Sequence, residues 1–148
     1  MPDWTERLVS HDDGLRAILR ELKTVAVLGV KAQAGQAANY VPAYLAARGY
    51  RIVPVNPTLA GQTLFGRRVV PTLADLDEPA DLIEVFRRSE HLPGHVREIL
   101  ALSWRPQAVW FQLGIRNDEA AELLARANIR VVQDRCMMPE HRRLVAGG

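Results

Sequence analysis

The chain has 148 residues, of which 48% are hydrophobic and 24% charged, and its formal net charge is +2. This length and balance are typical of one soluble globular domain with a sizeable core. Both signs of charge are spread along the chain, which argues against an electrostatic nucleic-acid surface. No apolar run approaches the ~20 residues of a membrane span, and the N-terminal segment lacks the pattern of a signal peptide.

Cysteine and histidine usage narrows the class of protein further. The single cysteine, Cys136, excludes a disulfide framework and a cysteine-rich metal site, and it is typical of a reducing cytoplasm. Among the histidines, His91 and His95 are four residues apart, but Pro93 and Gly94 between them argue against helical geometry. We therefore predict a cytoplasmic protein without a metal site.

Helical and strand-like patterns alternate along the chain. Residues 12–22 carry apolar side chains at helical spacing, so residues 1–23 are predicted to form an N-terminal helical extension. Five apolar segments are predicted as strands: 24–30, 50–57, 81–86, 107–114 and 129–134. Helices are predicted between and after them at 37–48, from Pro93 to about Ser103, from the capping residue Asn117 onward, and from Pro139 to the C-terminal region.

The region between the second and third strands has weaker signals. A short strand is predicted at 68–70, and one or two helical turns at 72–80. Because the main strands are apolar almost throughout and alternate with helices, they predict a parallel sheet covered on both faces. The fold class is therefore α/β: a Rossmann-like, doubly wound parallel sheet of five or six strands, with residues 1–148 forming a single domain.

Ligands of such folds bind at the carboxyl ends of the strands. The first of these ends is "VAVLGVKAQAG", Val25–Gly35, a buried strand that runs into a glycine-containing loop. It holds Gly29 and Gly35 but lacks the G-x-G-x-x-G pattern of dinucleotide sites. A helix that follows such a loop offers free N–H groups to a phosphate, and Gly29 permits a close approach. The alternative is a plain turn without a ligand.

The next strand ends bear on the choice of nucleotide. Asn56 and Pro57 stand where an NAD site has Asp or Glu for the ribose hydroxyls, and no arginine for NADP occurs before Arg67. NAD is therefore disfavoured, although Asn-Pro is also an ordinary turn pair. Two adjacent arginines, Arg87 and Arg88, follow the third main strand and point to an anionic ligand.

Four motifs, "GYRIVPVNP", "FRRSE", "WFQLGIRNDEAA" and "DRCMMPEHRRL", occur in this order between Thr24 and Leu144. With them the chain resembles the small single-domain CoA-binding proteins of bacteria. The fold of that family is similar to the CoA-binding N-terminal domain of the succinyl-CoA synthetase α subunit. The resemblance implies a Rossmann-like fold that binds coenzyme A.

The resemblance also implies a set of ligand-binding residues. Together with Gly29, the implied contacts are Val30, Lys31, Ala32 and Gln33 for the nucleotide end, Asn56 and Pro57 beside the adenosine, Phe86, Arg87, Arg88 and Ser89 along the diphosphate or pantetheine, and Gln112, Leu113 and Gly114 at the later strand end. The first loop departs from its relatives, which tend to carry serine, proline and arginine there.

We therefore predict a coenzyme A or acyl-CoA binding module that acts as a carrier or regulator, with no catalytic residue and no identified protein partner. An acid-free second strand end suits the 3′-phosphate of coenzyme A. Two alternatives stay open. The first is an enzyme, either a subunit of a CoA ligase or transferase or an NAD-dependent oxidoreductase. The second is a domain that has lost its ligand, and the altered first loop is the reason to retain this alternative.

Two further side chains have chemical interest. Cys136 follows the last strand on the ligand side, so we hypothesise that it contacts the thiol end of coenzyme A and forms a mixed disulfide with it; the alternative is a packed small side chain. Glu84 lies inside an apolar strand, and we expect it at a sheet edge or on a helix-covered face with a basic partner.

Overall fold

The computed structural model describes residues 3–146. Its helices are α1 (Asp12–Glu21), α2 (Ala37–Ala46), α3 (Leu92–Leu100), α4 (Asp118–Arg126) and α5 (Met137–His141), which continues as a wider helical turn over Arg142–Ala146. Its strands are β1 (Thr24–Leu28), β2 (Arg51–Val55), β3 (Thr63–Leu64), β4 (Arg67–Arg68), β5 (Leu82–Val85), β6 (Ala108–Phe111) and β7 (Arg130–Val132). Within the described residues, no helix has the length and apolar content that a membrane crossing requires.

Five of the strands form one parallel sheet in the order β2-β1-β5-β6-β7. β1 lies between β2 and β5, with Ala26 beside Val53 on one side and Ile83 on the other. The chain therefore winds outward in both directions from β1, which confirms the doubly wound α/β prediction. The sheet has five strands rather than six, because β3 and β4 pair only with each other in a separate antiparallel hairpin.

Helices cover both faces of the sheet. One face packs against α1, α2 and α5 and the other against α3 and α4, so that each face has its own apolar cluster. Leu15, Ile18 and Leu19 of α1 are fully buried in the first cluster. The predicted N-terminal extension thus contributes a helix to the core rather than standing apart from it.

All five predicted main strands extend beyond the observed ones, and three other boundaries are also wrong by a few residues. α3 ends at Leu100 instead of near Ser103, before the turn that leads to Pro106. The last helix begins at Met137 and not at Pro139, which occupies the first turn, where a missing N–H breaks no helical hydrogen bond. The short strand lies at Arg67–Arg68, and beyond it Val70 makes an isolated parallel bridge with Val55.

Glu84 lies on a helix-covered face, as one form of the expectation had it, but neither a sheet edge nor a basic partner is found for it within residues 3–146. β5 is the middle strand of the five, and Glu84 lies between Val27 of β1 and Trp110 of β6, completely buried. Neither carboxyl oxygen has a hydrogen-bond partner among the described residues, so no basic side chain pairs with it. Burial raises the pKa of Glu84 to about 8, and the group therefore carries its proton at neutral pH.

Candidate functional site

The reversal of strand order between β1 and β5 places a crevice at the carboxyl ends of these two strands. Gly29, directly after β1, has a φ of +93°, and a Cβ atom there would lie 2.5 Å from the Phe86 carbonyl oxygen and 3.2 Å from Arg87 Nε. The two strand ends therefore approach each other backbone to backbone, and only glycine fits between them. The sequence predicted that Gly29 permits a close approach, and the group that approaches it is the backbone at the end of β5.

An interior proline of α2 helps to hold the first loop. Pro42 has no N–H, so the Ala38 carbonyl four residues earlier lacks its helical donor and instead accepts a hydrogen bond from the Lys31 backbone N–H at 3.2 Å. Asn39 Nδ2 donates to the Lys31 carbonyl oxygen at 2.8 Å. Both backbone groups of Lys31 are thus tied to α2, while its side chain is exposed.

The rest of the first loop faces solvent, apart from Val30, which is buried. Ala32 and Gln33 are exposed, and α2 begins without a side-chain cap and without an acidic residue in its first turn. Its first N–H groups therefore meet no negative charge of their own helix, which favours an anion at this end.

The side chain of Asn56, at the end of β2, makes its hydrogen bonds within the protein. Its Nδ2 donates to the Val30 carbonyl oxygen at 2.8 Å, and its Oδ1 accepts from the backbone N–H and the hydroxyl of Thr58. The side chain is buried, whereas Pro57 after it is exposed. Asn56 therefore positions the first loop, and Pro57 presents the surface at this strand end.

Arg87 is the cation of the crevice. Its Nε is buried without a hydrogen-bond partner among the described residues, and no carboxylate of those residues lies within 4 Å of its guanidinium. By contrast, the Arg88 side chain is largely exposed and lies 3.8 Å from Glu90. Of the two adjacent arginines, Arg87 is the one that the fold turns toward Gly29.

Two side chains of α3 that the sequence analysis did not select lie within electrostatic reach of Arg87. Burial and then Arg87 lower the pKa of His95. Burial raises the pKa of Glu98, against the opposing influences of the Leu73 backbone and of Arg87. The only signal in the sequence was their three-residue spacing, which puts both on one side of the helix that follows Arg87.

The strand ends of β5, β6 and β7 are joined to one another by hydrogen bonds. Ser89 Oγ accepts from the Arg116 backbone N–H at 3.0 Å, and the buried Gln112 Oε1 accepts from the Met137 N–H at 3.1 Å. Ser89 and Gln112 therefore tie loops together, as Asn56 does between β1 and β2. Among the described residues, no side-chain hydrogen bond of this kind joins the β1 end to the β5 end, so the crevice is the place where the rim is open.

Leu113 and Gly114 form the exposed tip after β6. Gly114 has a φ of +85°, and its N–H donates to Asp134 Oδ1 at 2.6 Å. Leu113 is 69% exposed. This tip lies one strand beyond the crevice and offers an apolar surface next to it.

Cys136 lies on the same side of the sheet as α5, directly before that helix. It is half-buried and packs against the apolar cluster, and it lines a cavity of about 450 Å³ together with Leu113, Arg135 and Glu140. Trp110 Nε1 donates to the Arg135 carbonyl oxygen at 2.8 Å, which draws this segment over the end of β6. No group of three or more His, Cys, Asp or Glu side chains in residues 3–146 is placed to hold a metal ion.

Comparison with known proteins identifies the family of the chain. Residues 23–142 match a family described as "CoA binding domain". The chain belongs to this CoA-binding domain family. The match covers every strand of the parallel sheet and all of the strand ends described above.

Two solved structures share the fold of this CoA-binding domain over nearly their whole length, and a third relative is similar in sequence. A Thermus thermophilus protein described as cell-free ID.343 is 49% identical with a TM-score of 0.86, covering 91% of this chain and 99% of that one. A hypothetical protein from Pyrococcus horikoshii OT3 is 31% identical with a TM-score of 0.83, covering 92% and 93%. Uncharacterized protein YneT of Bacillus subtilis (strain 168) is 34% identical over 127 residues, 86% of this chain and 91% of its own.

Proposed function

We propose that this CoA-binding domain binds coenzyme A or an acyl-CoA in the crevice between the ends of β1 and β5, as a carrier or regulatory module without chemistry of its own. The observation that carries the proposal is the unpaired Nε of Arg87 beside Gly29. A half-buried cation without a carboxylate partner destabilises the folded protein, and a bound anion would supply the partner that it lacks.

The diphosphate of coenzyme A fits this arrangement. Arg87 offers planar N–H groups that suit phosphate oxygens, and the uncapped start of α2 offers backbone N–H groups on the other side of the crevice. The exposed Lys31, Ala32 and Gln33 border the same opening. We assign the diphosphate to the space between the first loop and Arg87.

The end of β2 favours coenzyme A over NAD. A carboxylate at this position accepts hydrogen bonds from the ribose hydroxyls of NAD, but it would repel the 3′-phosphate of coenzyme A. Here the position is Asn56, whose amide is fully engaged with Val30 and Thr58. The adenosine would then lie against the exposed Pro57.

The pantetheine arm would cross the ends of β5 and β6. Phe86 and Leu113 supply apolar surface along this path, and the cavity lined by Cys136 lies at its far end. This path places the thiol of coenzyme A, or the acyl group of a thioester, near Cys136.

The test is the affinity of the Arg87→Ala variant for coenzyme A, measured by isothermal titration calorimetry. Loss of hydrogen bonds to a charged group is expected to weaken binding by about tenfold or more. Arg97→Ala is the matched control, because Arg97 is an exposed arginine of α3 outside the crevice, and it is expected to bind like the wild type. Equal affinity of Arg87→Ala and wild type would refute the assignment, and no binding by either would indicate a domain that has lost its ligand.

The contact with Cys136 has a separate test. Attack of the Cys136 thiolate on the disulfide of oxidised coenzyme A forms a protein–CoA disulfide and releases one coenzyme A thiolate. Intact-mass analysis after incubation with CoA disulfide should show one adduct that dithiothreitol removes and that Cys136→Ser does not form. An unmodified wild-type chain would leave Cys136 as a packed side chain.

A further inference from the structure

Glu84 is a buried carboxyl group that nothing in the structure satisfies. Both of its oxygens lack a hydrogen-bond partner among the described residues, and the side chain has no solvent exposure. An unpaired polar group in an apolar interior destabilises the folded state even when it is neutral. A glutamate in the middle strand of the sheet therefore calls for a partner that is absent here.

The position of Glu84 indicates where such a partner would come from. Side chains alternate along a strand, so Glu84 shares its face of the sheet with Phe86, and its neighbour Val27 shares that face with Gly29. Gly29, one step further toward the crevice, has no side chain. Glu84 is thus the polar group directly beneath the crevice, and the half-buried Phe86 lies next to it along the same face.

No ionised group among residues 3–146 is hydrogen-bonded to Glu84 or shifts its pKa. Desolvation alone raises its pKa. The other titratable groups in or beside this apolar cluster are Tyr44, Tyr50, Cys136 and His141, with Lys23 against the Tyr50 ring and Arg48 and Arg142 against the Tyr44 ring. Tyr44 and His141 hydrogen-bond each other, and the Tyr50 hydroxyl donates to the Leu19 carbonyl oxygen. Glu84 is left as a neutral acid with a free O–H donor.

We propose that Glu84 forms the floor of the crevice and binds the pantetheine arm, with its carboxyl O–H donating to an amide carbonyl oxygen of that arm. This proposal rests on the proposed function. It requires Phe86 to turn aside when the arm enters. Glu84 would contact the pantetheine arm, which coenzyme A and acyl-CoA share, and would not contact the nucleotide end.

The experiment compares two ligands and three forms of the protein by calorimetry between pH 6.5 and 9.5. Coenzyme A has the pantetheine arm, and adenosine 3′,5′-bisphosphate lacks it. Glu84→Gln keeps a donor that does not titrate, and Glu84→Leu removes the donor. For the wild type, coenzyme A affinity should fall by up to about tenfold as the pH passes 8, because the ionised carboxylate cannot donate.

The variants separate this contact from other effects of pH. Glu84→Gln should show no such fall. Any pH dependence that remains in its binding curve then comes from titration of the ligand itself. Glu84→Leu should bind coenzyme A up to about tenfold more weakly than the wild type below pH 8, with a difference that narrows above it, and should bind the bisphosphate like the wild type.

Three results would overturn the inference. The first is an identical pH profile for the wild type and Glu84→Gln, and the second is unchanged coenzyme A affinity in Glu84→Leu. The third is an equal loss for both ligands, which would make Glu84 a support of the crevice rather than a contact of the arm. In all three, coenzyme A still binds the wild type, whereas failure of the proposed function itself would appear as no binding by the wild type at any pH.

Discussion

At the scale of single residues, the site depends on two groups that the fold leaves unpaired and on one missing side chain. Arg87 and Glu84 have polar atoms without partners among the described residues. Gly29 has no side chain, so the end of β1 can lie against Phe86 and Arg87. The sequence indicated Gly29 and Arg87, because a glycine after a strand and an arginine at a strand end have local meanings. It did not indicate the isolation of Glu84, since that follows from which strands flank β5.

The burial of Glu84 predicts a pH dependence of stability. Its pKa of about 8 in the folded protein lies above the usual glutamate value, so the folded chain holds a proton that the unfolded chain loses. The free energy of unfolding should therefore fall as the pH rises from about 5 to 8, by up to roughly 1.4 kcal/mol per pH unit, and level off above that. Urea denaturation of wild type and Glu84→Gln across this range measures it.

Glu84→Gln supplies the reference for that comparison, because every other titrating group is retained. The difference in unfolding free energy between variant and wild type should grow in favour of the variant toward pH 8. A difference that is constant with pH would mean that Glu84 is ionised in the folded protein or accessible to water.

The close approach at Gly29 predicts a loss of stability in Gly29→Ala. Gly49 is the matched control, since its φ of +90° is nearly the same but nothing lies within 4 Å of an added Cβ. Gly49→Ala should cost about 1–2 kcal/mol from backbone strain alone. Gly29→Ala should cost a further 1 kcal/mol or more, at roughly the scale of overpacking, because the Phe86 carbonyl must move. Equal losses in denaturant unfolding would show that the strand ends separate easily.

At the scale of elements, α2 and α5 connect the site to the core. α2 holds the first loop through the carbonyl that Pro42 leaves free, and α5 is fixed to α2 by the buried hydrogen bond between Tyr44 Oη and His141 Nδ1, 2.9 Å long. Helical periodicity predicted α2 well because its apolar face is long. It misplaced the start of α5, because that helix is short and Pro139 lies within its first turn.

The bond between the two helices predicts the effect of Tyr44→Phe. Removal of the hydroxyl leaves the buried His141 nitrogen without its partner, at a cost of about 1–3 kcal/mol in unfolding free energy. Burial, and then Lys23 and Arg48, lower the pKa of His141, so the ring is neutral at pH 7 and cannot regain the lost energy as a cation. Tyr40→Phe on the same helix, where the side chain is 42% exposed, should change stability by less than about 0.5 kcal/mol. Similar values for both variants would contradict this account of the α2–α5 contact.

At the scale of the whole molecule, the order of the strands creates the site. Apolar strands alternating with helices were enough to predict a parallel, doubly wound sheet, because that pattern has few other solutions. The sequence did not reveal which strand ends face each other. The resemblance implied Gln112, Leu113 and Gly114 as contacts; they lie at the end of β6, one strand beyond the crevice, and their contact with the ligand stays a prediction. The sequence also did not show that the side chains of Asn56, Ser89 and Gln112 hydrogen-bond neighbouring loops.

The central claim is that this molecule binds coenzyme A in the crevice, and thermal unfolding of the wild type with coenzyme A, dephospho-CoA, acetyl-CoA and NAD tests it most directly. Coenzyme A at about a hundred times its dissociation constant should add about 2.7 kcal/mol of stability, a rise of roughly 5–10 °C in the unfolding midpoint. Acetyl-CoA should act similarly, dephospho-CoA less, and NAD not at all. A shift with NAD but none with coenzyme A, or no shift with any ligand, would contradict the account.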